Sequence, residues 1–248
     1  MNDLPLSWYV SKLEKGEPFS SLVYGDGEFR VMSGKLTGHL YTAYRERVTA
    51  QLVSELNASL DDPDPTIIRG SDPCVLDWRT YQGRDVDVVR EASECAQAAL
   101  GGRQLEWVDG CVWDVAVREG QLGPLIRALR GRKLAQVSNY KLFVEWKGLQ
   151  PHFTVATAGH DAASGLDWLE RALVEHAGDC DCFVVCMGLG AIPLIMRLRK
   201  QMPQATFLDL GSTFDVFAGL GAERGWRREL YADPAKLKAC IDANLAGL

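Results

Sequence analysis

Apolar positions along the chain fall into two alternating kinds of segment. Short continuous runs read as strands: SSLVY (20–24), TIIRG (66–70), LEWVDG (105–110), LAQVSN (134–139), FTVATAG (153–159), CFVVCMG (182–188) and ATFLDLG (205–211). Between them, helical spacing predicts helices over 5–15, 41–60 (where Val48, Leu52 and Leu56 recur), 85–100, 122–132, 140–148, 164–177 and 190–201. Pro124 falls near the first turn of its helix, where a missing N–H costs nothing. The run FSSLVYGDGEFRVM (19–32) looks strand-like throughout, with Asp26-Gly27 in the position of a hairpin turn. Continuous apolar strands separated by helices mark a parallel sheet covered on both sides. The expected fold is α/β and doubly wound, a mainly parallel Rossmann-like sheet with helices on both faces.

Length adds that one domain over 1–248 suffices, with DDPDPT (61–66) as the candidate place for a subdivision. At 47% hydrophobic and 24% charged, the composition is that of a globular protein. No run reaches the roughly 18 apolar residues of a membrane span. The N-terminus reads as an amphipathic helix, not a signal peptide, and the expected location is the cytoplasm. Seven cysteines at scattered positions, without paired Cys-x-x-Cys spacing, predict reduced thiols; those of CDCFVVC are expected in the core. The net charge of −6 argues against tight nonspecific binding to a polyanion. RALRGRK (127–133) and RLRK (197–200) remain as local basic segments.

Candidate chemistry gathers at strand ends. After CFVVC come Gly188-Leu189-Gly190 and a helix, and the next strand ends at Asp209, a spacing that suits a nucleotide site with an acid on the ribose. Pro193 replaces the third glycine of the dinucleotide fingerprint, which argues against NAD. A generic nucleotide or phosphate site and a plain tight turn both stay open. Gly211, Ser212 and Asp215 follow the same strand end, with Ser212 or Thr213 alternatively a helix cap. Ser138 and Asn139 end another strand, to read a base or sugar or to cap. On an extended backbone Asp26 and Glu28 point to one side, where two carboxylates and substrate phosphate oxygens suit Mg²⁺ or Mn²⁺. A helix terminus contributes about 0.3–2 kcal/mol toward an anion, far less than the ~8 kcal/mol or more of enzymatic acceleration, so a departing diphosphate calls for a metal.

FSSLVYGDGEF, VVCMGLGAIPLIMRL and FLDLGSTFDVFAGLGAERG resemble the D-type-fold family of nucleotide-sugar glycosyltransferases, long catalogued as a domain of unknown function. The resemblance runs from Phe19 to about Arg224, and Gly-Asp-Gly-Glu is its most specific part. It implies a metal-dependent transfer of sugar from a nucleoside diphosphate, expected to be a UDP-sugar, to an acceptor hydroxyl. Asp26 and Glu28 would hold the Mn²⁺ or Mg²⁺. Gly188, Gly190, Asp209 and Ser212 would line the donor pocket, with Gly25, Gly27, Gly211, Ser138 and Asn139 completing the candidate donor site. Glu28 or Asp215 is the candidate base. The acceptor is a glycan or protein, or a hydroxymethylated DNA base, since the resemblance extends to phage-type members; a bacterial or phage-infected cytosol follows. Many members carry arginine two residues before Gly-Asp-Gly-Glu, where this chain has Val23.

Two readings from other classes stand beside this one: another nucleotide-cofactor transferase such as a methyltransferase, and a non-catalytic nucleotide-binding module. His160-Asp161 is a further acid–base candidate, and Trp78, Trp107, Trp113 and Trp146 are candidate stacking platforms or core residues.

Overall fold

The computed structural model of the chain describes residues 1–35, 48–83, 85–139, 141–142, 146, 148–157, 162–221 and 225–248. Among these, seven strands form one sheet: β1 (Ser20–Tyr24), β2 (Ile67–Ser71), β3 (Val108–Asp109), β4 (Leu134–Asn139), β5 (Phe153–Thr157), β6 (Cys182–Cys186) and β7 (Thr206–Asp209). Their order is β3-β2-β1-β7-β6-β4-β5, and every neighbouring pair is parallel. The fold is α/β and Rossmann-like, as the alternation of segments predicts.

The helices are α1 (Leu6–Lys15), α2 (Asp26–Met32), α3 (Ala50–Asp61), α4 (Pro73–Leu76), α5 (Val86–Leu100), α6 (Val112–Arg118) and α7 (Gly123–Arg130). After β5 come α8 (Leu166–His176), α9 (Ala191–Gln201), α10 (Gly225–Tyr231) and α11 (Pro234–Leu245). Side chains alternate along each strand, so Phe183 and Val185 enter one core while Cys182 and Val184 enter the other. The first core takes apolar residues of α2, α3, α5, α8 and α9; the second takes those of α1, α6 and α7. Connections β1→β2→β3 and β5→β6→β7 run the same way along the sheet and place their helices on the first face. The β3→β4 connection runs the opposite way and lies on the second. Right-handed crossovers require this division. Fully burying a side chain such as Phe183 or Phe207, stacked 5.0 Å apart, contributes roughly 1.5–3 kcal/mol.

Two expectations need correction. The stretch 19–32 is not strand throughout: β1 ends at Tyr24 and Asp26 opens α2, so no hairpin forms there. β1 pairs in parallel with both neighbours, and its chain must leave the sheet through a crossover. LEWVDG contributes only Val108 and Asp109, because only Gly70 and Ser71 of β2 pair with it. The short α4 and α6 escape periodicity, which needs more than one or two turns; α4 is set by the Asp72 cap and Pro73. Residues 41–47 of the first long predicted helix, most of 140–148, and His160-Asp161 lie outside the described residues.

Candidate active site

β7 lies between β1 and β6. From β1 and β6 the chain turns onto the first face, into α2 and α9, whereas from β7 it turns onto the second, where Phe214, Val216 and Ala218 are buried. Chains parting to opposite faces leave a crevice at the carboxyl ends of the strands, the usual ligand position in open α/β sheets. Asp209, the last residue of β7, stands in that crevice.

Asp209 is 5% exposed. The β1–β7 ladder holds only two residue pairs, Ser20 with Phe207 and Ser21 with Leu208. Beyond them the carboxylate takes over from a backbone partner: Oδ2 accepts the Val23 amide at 3.3 Å and Oδ1 accepts the Gly211 amide at 3.0 Å. Burial, and then the Glu28 charge, raise Asp209 from 3.8 to about 8, against the lowering effect of the two amides. The Glu28 charge, from a different strand end, thus bears on Asp209.

Glu28 reaches the crevice because α2 begins at Asp26. Gly25 is extended (φ −92°, ψ −174°) and is the N-cap, and Glu28 Oε2 turns back to accept its amide at 2.8 Å. Asp26 and Glu28 occupy the first turn, where the helix dipole favours anions. The extended-strand argument is thereby corrected: two residues apart on a helix point to different sides. Asp26 lies instead toward Arg30, whose Nε is 3.6 Å from its carboxylate; the Asp26 side chain is half exposed. Arg30 is 1% exposed and bonds Glu91 of α5 at 2.5 Å. Val23 lends its amide to Asp209, and its apolar side chain packs against the second core.

Around β6, Gly188 takes positive φ (+60°) and Gly190 is buried in the turn before α9. A Cβ on Gly190 would fall 2.6 Å from Met187 Cε and 3.3 Å from Ala163 Cα, so glycine there permits the close approach of 162–165. Cys186 has its thiol pushed well above the usual range by burial and then by the charges of Asp209 and Asp215. The other six cysteines are likewise unpaired to one another, with Cys182 buried in the second core. Gly211 is exposed and Ser212 half-buried beyond β7; Thr213 turns its hydroxyl back to donate to the Leu210 carbonyl at 2.5 Å. Ser138 is fully buried, in register with Cys186, and accepts from Gln136 Nε2 at 3.1 Å. Asn139 accepts the Lys141 amide at 3.0 Å, a local turn. Gly25, Gly27, Asp26, Glu28, Gly188, Gly190, Asp209, Gly211, Ser212 and Asp215 thus gather at adjoining ends of β1, β7 and β6, while Ser138 and Asn139 serve local structure one strand away.

Three residues of this region carry no sequence signal that the spacing exposes: Arg30, Arg227 and Tyr231. Arg30 becomes visible only once 26–32 is read as a helix, through its i, i+4 relation to Asp26. Trp107 and Trp113 belong to the two cores. Trp146 stacks on Phe214 and Phe217 at 4.9 and 4.6 Å, and Trp78 lies under Arg79 and Arg90.

Among the described residues, no group of three or more His, Cys, Asp or Glu is arranged to hold a metal by itself. The donor set nevertheless fits a hard divalent ion that takes its remaining oxygens from a substrate: Asp209, raised by burial and then by the Glu28 charge, and Glu28 itself.

Together the sheet order and the crevice define a Rossmann-like α/β fold with its candidate ligand site at the strands' carboxyl ends. Two solved structures of the domain of unknown function 1792 (DUF1792), described as highly conserved and having a distinct glycosyltransferase fold, superpose with a TM-score of 0.67 at 16% identity. The match covers 94% of this chain and 82% of theirs. A glycosyltransferase (DUF1792) from Streptococcus sanguinis matches with a TM-score of 0.58 at 15% identity, over 94% of this chain and 85% of that one. The likeness is one of fold, and it is the fold of the family that the three sequence segments resemble. No protein-family model and no curated protein matches the sequence.

Proposed function

We propose that this chain is a metal-dependent glycosyltransferase that moves a sugar from a nucleoside-diphosphate sugar, a UDP-sugar, to an acceptor hydroxyl. The observation that carries the reading is the meeting of two strand ends: Asp209 of β7 accepts the Val23 amide of β1, just ahead of the turn in which Glu28 caps α2, and the Gly188–Gly190 turn follows the adjoining β6. Glu28 and Asp209 would hold a Mn²⁺ or Mg²⁺ ion, with Asp26 on the same first turn as Glu28. A bound divalent ion supplies charge neutralisation to a diphosphate. The protein's own contributions are separable from it. The Gly188–Gly190 turn brings backbone close to the donor, the Asp209 carboxylate fixes the β1 and β7 ends through two amides, and Asp215 at the rim takes the acceptor proton.

The acceptor in this reading is a glycan or protein, with a modified DNA base as the other candidate. No helix among the described residues is long and apolar enough to cross a membrane. Titration calorimetry of UDP with and without Mn²⁺ tests the proposal. Heat that requires Mn²⁺ in the wild type and vanishes in Glu28→Gln and Asp209→Asn supports it; unchanged UDP binding in both variants refutes it. Steep loss of acceptor affinity with salt would select DNA, and flat dependence would remove it.

A further inference from the structure

We propose that helix α10 is a positioning element for Asp215, acting through Arg227 on its carboxylate and through Tyr231 on its backbone. The inference rests on the transferase reading only for the role of Asp215.

Asp215 opens a short 3-10 turn, Asp215–Ala218, that follows β7. Two side chains of α10 converge on this turn. Tyr231 Oη donates to the Leu220 carbonyl at 2.8 Å and lies 3.5 Å from the carbonyls of Asp215 and Val216. Arg227, one turn earlier on the same helix, is 1% exposed. Its Nη2 donates to Asp114 Oδ1 at 2.7 Å, and its Nη1 stands 3.7 Å from Asp215 Oδ2. Asp114 lies in the first turn of α6, beyond β3, so one guanidinium braces the chain after β3 to the chain after β7.

The contacts at Arg227 are unequal, and that inequality points to a role. Among the described residues, Nε and Nη1 are buried without a hydrogen-bond acceptor. A buried donor in that state calls for an explanation. Asp215 at 3.7 Å is attracted but not bonded, and an approach to about 2.9 Å would satisfy Nη1. Gly221 makes room for this: its φ is +74°, and a Cβ there would fall 3.0 Å from Nη1 and 3.4 Å from Asp215 Oδ2. With Asp114 and Asp215 both beside it, the guanidinium charge is already matched, so a bound anion is the weaker explanation. The brace holds one carboxylate at a defined place on the rim, and that carboxylate is one of the two whose charge bears on the Cys186 thiol.

The test compares the full-length wild type with Arg227→Lys, which keeps the charge and loses the fork, and Tyr231→Phe, which loses one hydroxyl. Amide hydrogen exchange needs no substrate; peptides spanning 211–221 are expected to exchange about tenfold faster in each variant, with α9 unchanged. UDP release from a panel of UDP-hexoses with Mn²⁺ supplies the second readout. Displacing a working carboxylate by about 1 Å is expected to lower kcat by up to about 100-fold with KM unchanged. Arg227→Lys is expected to add nothing to Asp215→Asn. Unchanged exchange over 211–221 overturns the proposal, as do additive losses of turnover or a loss confined to KM. A wild type that releases no UDP refutes the transferase reading, and exchange then decides by itself whether α10 holds the Asp215 turn.

Discussion

Asp209→Asn removes a charge that the fold holds at a disadvantage, and its effect on stability must depend on pH. In the folded chain the carboxyl is raised from 3.8 to about 8, by burial first and the Glu28 charge second. The native state therefore keeps the proton through a range where the unfolded chain has lost it. Stability from this group is complete below pH ~4, falls as pH rises, and levels off above pH ~8. From pH 5 to above 8 the wild type should lose about 4 kcal/mol on this account, at 1.36 kcal/mol per pH unit. For a chain of this size that corresponds to roughly 8–16 °C in Tm. The asparagine cannot ionise, but its amide nitrogen faces one of the two N–H groups of Val23 and Gly211, which costs about 1–3 kcal/mol at every pH. The variant should consequently be less stable than wild type at pH 4 and more stable at pH 9. Thermal unfolding of both proteins in chelator from pH 4 to 9 reads the crossover directly. Parallel Tm curves would refute the argument that a buried, coupled carboxyl occupies the crevice. Adding Mn²⁺ should flatten the wild-type curve, and the variant curve should not respond.

Other perturbations separate local structure from the candidate chemistry. Glu28→Gln keeps an oxygen for the Gly25 amide and should unfold within a degree or two of wild type, whereas Glu28→Ala loses that N-terminal bond and about 0.5–2 kcal/mol of stability, measured by urea unfolding. Gly190→Ala should cost about 1–3 kcal/mol by overpacking against Met187 and Ala163, visible as a lowered urea midpoint with unchanged slope. Arg197 of α9 joins Glu55 of α3 at 2.6 Å, Asp167 at 2.7 Å and Glu170 at 3.3 Å; Arg197→Ala should lower Tm, with a smaller difference at 1 M salt. Cys74 and Cys182, both pushed up to about 12 by burial, should resist alkylation at pH 7.5 until the chain is unfolded, as read by mass spectrometry.

Elements that bury a long, regular apolar pattern were legible from sequence. SSLVY and LAQVSN are β1 and β4 residue for residue, and 85–100, 164–177 and 190–201 hold helices within a residue or two of the predicted ends. Local pattern is sufficient there because a strand or helix buried along its length has one way to hide its apolar side chains. The start of α2 was also written locally, in Gly25 and Glu28 as N-cap and third helical residue, but Asp-Gly carries a hairpin signal of its own. Only the neighbours of β1 decide between them. A strand paired in parallel on both sides cannot turn back on itself, so the chain leaves as a helix.

The site divides in the same way. Sequence determined the inventory: Gly-Asp-Gly-Glu, the paired glycines after β6, and an aspartate at the end of β7, each at a strand's carboxyl end. It also determined the acidic balance of the chain and the apolar strands that force a covered parallel sheet. Tertiary structure decided which members of that inventory meet. Asp209 joins Glu28 across 181 positions because β7 is inserted beside β1, and the early end of their ladder leaves a carboxylate to serve the Val23 amide. Asp26 turns instead to Arg30, and Ser138 and Asn139 stay in local structure. Arg227 and Tyr231 reach Asp215 only through the return of the last helices over the second face. Periodicity reports which side of a segment is buried, because burial depends on the nearest few residues. It is silent on strand order, because pairing across the sheet joins segments far apart in the chain, and in this protein strand order makes the crevice.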